Sequence, residues 1–399
     1  MEFTELWESL LPVGRDPGTG GYRRYSWTEA EAGCRAWFAR TATGLGMRTD
    51  CDGNGNLWAW WGRPGPGAIA TGSHLDSVPD GGAFDGPLGV ASAFAAIARL
   101  RGQGFRPARP VAVAAFTEEE GARFGVACLG SRLLTGAVNP DAAWALADSG
   151  GVSLPDAMRA AGRDPAKIGP DEDLLGLLDA YVELHIEQGR GLAALDAAVG
   201  IAEGIWPHGR WRLEFTGQAD HAGTTRLADR HDPMLPYAAM VLAARDAATR
   251  YDALATVAKV VAEPGGANGI SSAVRAWLDA RAPDEATLGL LVEEVSSAAR
   301  AAAQQHGVGL QVRRESATPL VCFDAGLRDR VSAVLGAGTP VLPTGAGHDA
   351  GVLAARLPTA MLFVRNPTGV SHSPAEYAEA ADCQAGVAAL AAVLADLAG

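Results

Sequence analysis

Short apolar runs that stop at a histidine or an acid constrain this chain more than any other feature of its sequence. Ala68 to Leu75 carries His74, Val111 to Thr117 runs into Glu118, Glu119 and Glu120, and Tyr181 to Ile186 carries His185 near its end. Runs this short and unbroken suit strands covered on both faces, the condition of a parallel α/β sheet. Chemistry-bearing side chains at the carboxyl ends of such strands lie where open α/β sheets put their sites. Helical stretches alternate with the runs. Thr28 and Glu31 have capping-box spacing and open a helix to about Leu45; Pro87 starts another with Val90, Phe94 and Ile97 on one face.

Near residue 205 the pattern changes. Arg210 to Thr216 alternates, with Trp211, Leu213 and Phe215 on one side, and Asp232-Pro233 opens a helix to about Tyr251. Strand-like Ala253–Ala262 and Ser271–Ala280 follow, then a helix from Asp284 to Gln305 and an alternating strand through Val308, Leu310 and Val312. That order, β-α-β-β-α-β, is the order of a ferredoxin-like unit, which can be inserted whole into another domain. After about Ser316 the α/β pattern resumes through Met361 to Val364, and a final helix closes the sequence. The expected architecture is a mixed α/β sheet flanked by helices, residues 1–205 plus 316–399. A lid-like α+β domain, 206–315, interrupts it.

Composition narrows the class. In 399 residues, 48% are hydrophobic, 20% are charged and the formal net charge is −13, which fits a folded globular protein of two or three compact units. An acidic balance without a Lys/Arg block gives no electrostatic footprint for nucleic acid or an anionic membrane. The apolar stretch Ala385 to Ala395 falls short of the roughly 20 residues of a spanning helix, and the acidic start lacks the order of a secretion signal. The expectation is a cytoplasmic protein. Its five cysteines (Cys34, Cys51, Cys128, Cys322, Cys383) never form a C-x-x-C pair, so free buried thiols are expected.

Several segments carry chemistry. His74, Asp76 and Asp85 fall on a glycine-rich turn after a strand, a combination suited either to a cation or to a capping turn. Adjacent Glu118, Glu119 and Glu120 repel one another, which a cation relieves and solvation also relieves. His185 and Gln188 share the segment HIEQG, and His372 follows the apolar Met361 to Val364. Any one of these histidines can be an ordinary polar residue. Together, strand-end His, Asp, Glu, His and His supply a set for two co-catalytic metals sharing one carboxylate.

In order, SHLDSVPDGGAFDGPLGV, EEEGARFG, ELHIEQG, DHAGTT, GANGISSAV, DAR, GAGHDA and SHSPAEY span nearly the whole chain. This series resembles the dinuclear-metal aminoacylase and glutamate-carboxypeptidase-like amidohydrolases. Within them it is most similar to the hydantoinase/carbamoylase branch of N-carbamoyl-L-amino-acid hydrolases, allantoate amidohydrolases and β-ureidopropionases. The resemblance implies a zinc-exopeptidase-type catalytic domain, a ferredoxin-like lid that also makes a homodimer, and two divalent ions, Zn²⁺ or Mn²⁺ with Co²⁺ or Ni²⁺ as further options. It assigns His74 and His185 to one metal, Glu120 and His372 to the other, and Asp85 to both. Asp76 would orient His74 and Glu119 would be the general base; the extra Glu118 leaves Glu118/Glu119 open as the base–ligand pair. His221 would be the oxyanion donor, reaching from the other subunit. Gln188, Asn268, Arg281 and backbone donors from Gly345 to Gly347 would grip the substrate carboxylate. Independently, Arg275, Trp277, Asp279 and Arg281 share one strand face, and a guanidinium offers a fork for a carboxylate. His348 and Asp349 are expected to support the site by hydrogen bonding.

The activity implied is metal-dependent hydrolysis of a ureido-type C–N bond, in allantoate or an N-carbamoyl-L-amino acid. An N-formyl, N-formimino or N-acyl amino-acid hydrolase of glutamate type is the alternative enzyme, and a non-catalytic metal-binding dimer the alternative of another class. Relatives usually carry proline after HAGTT and Pro-Ser before the final Ser-His, where this chain has Arg226 and Arg365-Asn366. These arginines either bind a second acidic group of the substrate or pair with local acids such as Asp229.

Overall fold

The computed structural model describes residues 2–399. They form two compact units, residues 2–204 with 322–399, and residues 205–321. The strand Gly309–Thr318 runs past the 315/316 boundary expected from sequence, because it stays paired with His208–Thr216 as far as Thr318.

The first unit is built on one mixed sheet. Its strands lie in the order Arg48–Cys51, Leu57–Trp61, Val111–Phe116, Ala68–His74, Leu178–Ile186, Thr359–Val364, Val199–Ile205 and Val321–Cys322, with Val341–Thr344 also paired to Val199–Ile205. The four strands from Val111–Phe116 to Thr359–Val364 are parallel. Three of them, Val111–Phe116, Ala68–His74 and Thr359–Val364, are buried along their whole length, as the unbroken apolar runs require. In register, His74 lies opposite Phe116, and His185 opposite Phe363. The residues that follow these positions therefore emerge at one edge of the sheet.

The helix Pro87–Gly102 packs against the final helix, Ala380–Ala398, in a core that includes Phe94, Ile97, Leu390 and Leu394. Ala380–Ala398 is longer than the apolar stretch read from sequence, and is long and apolar enough to cross a membrane. Here its Val387, Leu390, Val393, Leu394 and Leu397 are buried in the core.

Several elements went unread in the sequence. The hairpin of Arg48–Cys51 and Leu57–Trp61 turns on Asp52-Gly53-Asn54-Gly55, a turn signal, but its first strand is polar and its second, LWAWW, does not alternate. The cysteines are free, and Cys34, Cys128 and Cys383 are buried; Cys322, contrary to expectation, is exposed, and Cys51 is half-buried.

The second unit has the ferredoxin-like order. Gly309–Thr318, His208–Thr216, Ala273–Arg281 and Leu254–Glu263 make an antiparallel sheet in that spatial order. Helices Met234–Arg250 and Glu285–Gln305 share a core with Leu213, Phe215, Val274, Ala276 and Leu278. Alternation along Ala273–Arg281 sends Arg275, Trp277, Asp279 and Arg281 to the opposite face.

Candidate metal centre

The parallel strands deliver His74 and His185 to the same edge, both buried. Each ring is oriented through Nδ1. That of His185 lies 2.8 Å from the Ile186 carbonyl oxygen, and that of His74 lies 3.2 Å from the Asp76 carbonyl oxygen and 3.5 Å from its carboxylate. A ring that donates from Nδ1 leaves the Nε2 lone pair for something else. Both Nε2 atoms are buried without a hydrogen-bond partner. Both face Oδ1 of Asp85, at 3.6 Å from His74 and 3.2 Å from His185.

The other oxygen of Asp85 serves a different group. Oδ2 lies 3.3 Å from Nε2 of His372, which is itself 3.5 Å from Oε2 of Glu120. Two sets of donor atoms, His74–Asp85–His185 and Asp85–Glu120–His372, are thus compact enough to hold an ion each, with Asp85 common to both. Neutral imidazole and carboxylate are the donors that Zn²⁺ and Mn²⁺ share. The orphaned, buried Nε2 atoms fit a cation, as does the unpartnered Oε1 of Glu120. A third set, Glu183–His185–His348, is also compact. In it Glu183 is already used, accepting from Ser73 Oγ at 2.7 Å and from the Ala350 N–H at 2.9 Å.

Backbone geometry holds the acids in place. Gly86 has φ of +82°, and a Cβ there would stand 2.4 Å from the His74 ring, so only glycine fits between Asp85 and the helix it precedes. Asp76 touches more than His74: its two carboxylate oxygens accept the N–H groups of Glu119 at 3.2 Å and Glu120 at 3.1 Å. Glu118 sits at φ of 57° and turns back into its loop, where Oε1 accepts from the N–H groups of Arg123 and Phe124 at 2.9 and 2.7 Å. Glu119 instead brings Oε2 to 3.7 Å from Nε2 of His74, and its other oxygen accepts from the Cys128 thiol at 3.1 Å.

The protonation pattern follows from burial and crowding. Burial pushes the Glu119 carboxyl well above the ordinary range, against the pull of His74. Burial, with Asp85 repulsion behind it, pushes Glu120 up to about 7. Burial opposes charge on Asp85 too, but His185, His372 and His74 together hold it well below the usual value. Burial lowers His74, yet Glu119, Asp76 and Asp85 outweigh it and hold the imidazole well above its usual value. A divalent ion bound here would displace protons from such acids and histidines.

Other residues singled out in the sequence are distributed unevenly. Gln188 joins the cluster, its Nε2 donating to Asp85 Oδ2 at 3.0 Å. Gly347 is exposed, with open space around the position of a Cβ. His348 is buried beside His185, ring centroids 4.4 Å apart, while Asp349 accepts from Ser131 Oγ at 2.5 Å. In the second unit, His221 lies in a two-stranded ribbon whose other strand is Gly269–Ile270, and the Ala222 N–H donates to the Asn268 carbonyl at 3.2 Å. His221 Nδ1 accepts from the Gly223 N–H at 3.0 Å, which makes Nε2 the protonated nitrogen of the neutral ring. Arg281 contacts Asp279 on its own strand at 2.9 Å.

The two departures from the family pattern are tied down locally. Arg226 pairs with Asp229 at 2.6 Å. Arg365 donates from Nε and one terminal nitrogen to the buried Asp382, at 2.8 and 3.0 Å, and from the other to Asp196 at 2.8 Å. Its guanidinium fastens the end of the strand Thr359–Val364 to the final helix.

Sequence reasoning missed Glu376. Its Oε2 accepts the N–H groups of Phe84 at 2.9 Å and Asp85 at 3.0 Å, which sets the backbone of the shared ligand. The acid inside SHSPAEY was its only signal. It also missed Ser371, whose hydroxyl lies 3.3 Å from Asp85 Oδ2.

Residues 70–396 match the Peptidase family M20/M25/M40. An N-carbamoyl-L-amino acid amidohydrolase of Geobacillus stearothermophilus is 36% identical over 96% of each chain. An allantoate amidohydrolase of Escherichia coli strain K12 is 32% identical over 99% of this chain and 98% of its own. The crystal structure of a hydantoinase/carbamoylase family amidase from Burkholderia ambifaria superposes with a TM-score of 0.84 at 33% identity, covering 100% of this chain and 98% of the other.

Proposed function

The chain belongs to peptidase family M20/M25/M40 and, like its amidohydrolase relatives, is a hydrolase of carbon–nitrogen bonds other than peptide bonds; from that premise we propose that it cleaves the ureido C–N bond of an N-carbamoyl-L-amino acid or of allantoate. The observation that carries this reading is the division of Asp85 between two donor sets with the free end of Glu119 beside them.

His74, Asp85 and His185 would hold one divalent ion, and Asp85, Glu120 and His372 a second. Such ions lower the pKa of a water and polarise a carbonyl. Glu119 removes the proton of the attacking water, an assignment supported by the way Glu118 is consumed by its own loop. The oxygen joins the ureido carbon, the C–N bond breaks, and Glu119 returns the proton to the leaving nitrogen. His221, reaching from the other subunit of a dimer, donates from Nε2 to the oxygen that gains charge, which its tautomer allows. Gln188, Asn268 and Arg281 hold the substrate carboxylate, with backbone donors around Gly347.

The second unit serves as lid and dimerisation domain in this proposal. Its outer strands, Leu254–Glu263 and Gly309–Thr318, each keep one unpaired edge, a template for a second copy.

The test is hydrolysis by metal-stripped and Mn²⁺- or Zn²⁺-reconstituted protein of allantoate, N-carbamoyl-L-amino acids, and N-formyl- and N-formimino-L-glutamate. Metal-restored turnover of allantoate or a carbamoyl substrate is expected. Turnover confined to the formyl or formimino compounds would replace the ureido assignment. No turnover by metal-loaded protein would overturn it.

A further inference from the structure

We propose that Arg190 selects substrates that carry a second carboxylate, so that the preferred substrate is an N-carbamoyl derivative of a dicarboxylic amino acid; this rests on the ureido reading above.

The loops that bring the ligands together contain few cations, and most are neutralised. Arg123 is bound to Asp148 at 3.0 Å and to the Ser26 carbonyl at 2.6 Å. Arg365, at the end of the strand Thr359–Val364, is held by Asp382 and Asp196. Arg190 is exposed and has no carboxylate partner among the described residues. The acid nearest in sequence, Glu187, is spent elsewhere: its two oxygens accept the N–H groups of Gly191 and Leu192 at 2.5 and 2.9 Å.

The location of this cation is what gives it a role. Arg190 follows closely on Gln188, whose amide touches Asp85. Its aliphatic stem lies across the turn that leads to His372: a Cβ added at Gly369 would stand 2.3 Å from Arg190 Cγ and 2.8 Å from Cδ. That turn is itself rigid, because the buried Asn366 side chain accepts from the N–H groups of Thr368 and Gly369 and donates to the Val370 carbonyl. A stem seated on a fixed surface loses less entropy when its head group binds, and a planar guanidinium matches a carboxylate with two parallel hydrogen bonds.

Charge sharpens the argument. The chain carries a net −13, and the centre adds Asp76, Asp85, Glu118, Glu119, Glu120 and Glu376 within one set of loops. A substrate with one carboxylate needs one cationic grip. A second carboxylate on the substrate calls for a second uncommitted cation on the loops that carry the ligands, and Arg190 is such a cation.

The experiment compares kcat/KM for N-carbamoyl-L-glutamate and N-carbamoyl-L-aspartate with their uncharged isosteres, N-carbamoyl-L-glutamine and N-carbamoyl-L-asparagine. The metal-reconstituted wild type, Arg190→Met and Arg190→Lys are used. Methionine keeps much of the stem over Gly369 and removes the charge; lysine keeps the charge. The wild type is expected to prefer an acidic substrate. Arg190→Met should lower the acid-to-amide ratio about tenfold, mainly through KM, and Arg190→Lys should restore part of it. Equal losses on acid and amide substrates would mean that Arg190 only covers the turn, and would overturn the proposal. So would a wild type that favours the amides. If every carbamoyl compound were left intact, the ureido reading would fall first and this inference with it.

Discussion

Asp85 is gripped through its N–H and both carboxylate oxygens. Its N–H is taken by Glu376, one carboxylate oxygen faces two buried imidazoles, and the other meets Gln188, Ser371 and His372. A carboxylate held in this way would not need to reorganise to bind a divalent ion. Glu119 is the complementary case, a carboxylate with one oxygen anchored by the Cys128 thiol and the other pointing at the centre. Glu119→Gln should keep that packing and remove the base. We expect kcat to fall by about 10²- to 10⁴-fold while the protein still takes up divalent metal, as measured by steady-state kinetics alongside metal analysis. Undiminished kcat would return the proton-transfer role to another group.

At the scale of elements, legibility in the sequence depended on whether an element's role was written in side chains or in backbone. The strands that carry His74 and His185 were readable because burial on both faces demands unbroken apolar runs. The ferredoxin-like order was readable from Leu213 and Phe215 and from the alternation through Leu278. Glu376, and the second task of Asp76, were not readable, since both act on main-chain N–H groups that every residue possesses. The ion pairs of Arg365 were not readable for a related reason: its partners, Asp196 and Asp382, are met only through the fold. Phe215 tests the core of the second unit. It is fully buried, and Phe215→Ala should cost about 3–5 kcal/mol in denaturant unfolding. The unread hairpin offers a pH test. Asp52 in its turn accepts from the N–H groups of Asn54 and Asn56 and from the side chains of Asn56 and Trp58, yet burial pushes its carboxyl up to about 6 from 3.8. A carboxyl whose pKa is higher in the folded state favours the fold most when protonated. That contribution is complete below about pH 3.8 and is lost as pH rises through about 6. Urea denaturation near pH 4 and near pH 7 should therefore show wild type losing ground to Asp52→Asn, which cannot titrate; a pH-independent difference would contradict the shift.

For the whole molecule, the centre concentrates acidic groups whose mutual repulsion a cation would relieve. Removing divalent metal with a chelator should abolish turnover and lower Tm. Adding back Zn²⁺ or Mn²⁺ should raise Tm with concentration, by about 2.7 kcal/mol of stabilisation at a hundredfold excess over Kd. A Tm indifferent to metal would show that the cluster binds none. The chain's path through its sheet also has a consequence in time. His74, Asp85, Glu120 and His185 all precede the second unit, whereas Thr359–Val364, the parallel neighbour of the strand bearing His185, and His372 itself come after it. During synthesis from the amino end, these four residues leave the ribosome long before the strand that flanks the one bearing His185. Completion of the proposed centre thus waits for the last stretch of the chain, and a polypeptide cut short within the second unit would carry His74, Asp85, Glu120 and His185 on a sheet that lacks the strand Thr359–Val364 beside His185 and the closing His372.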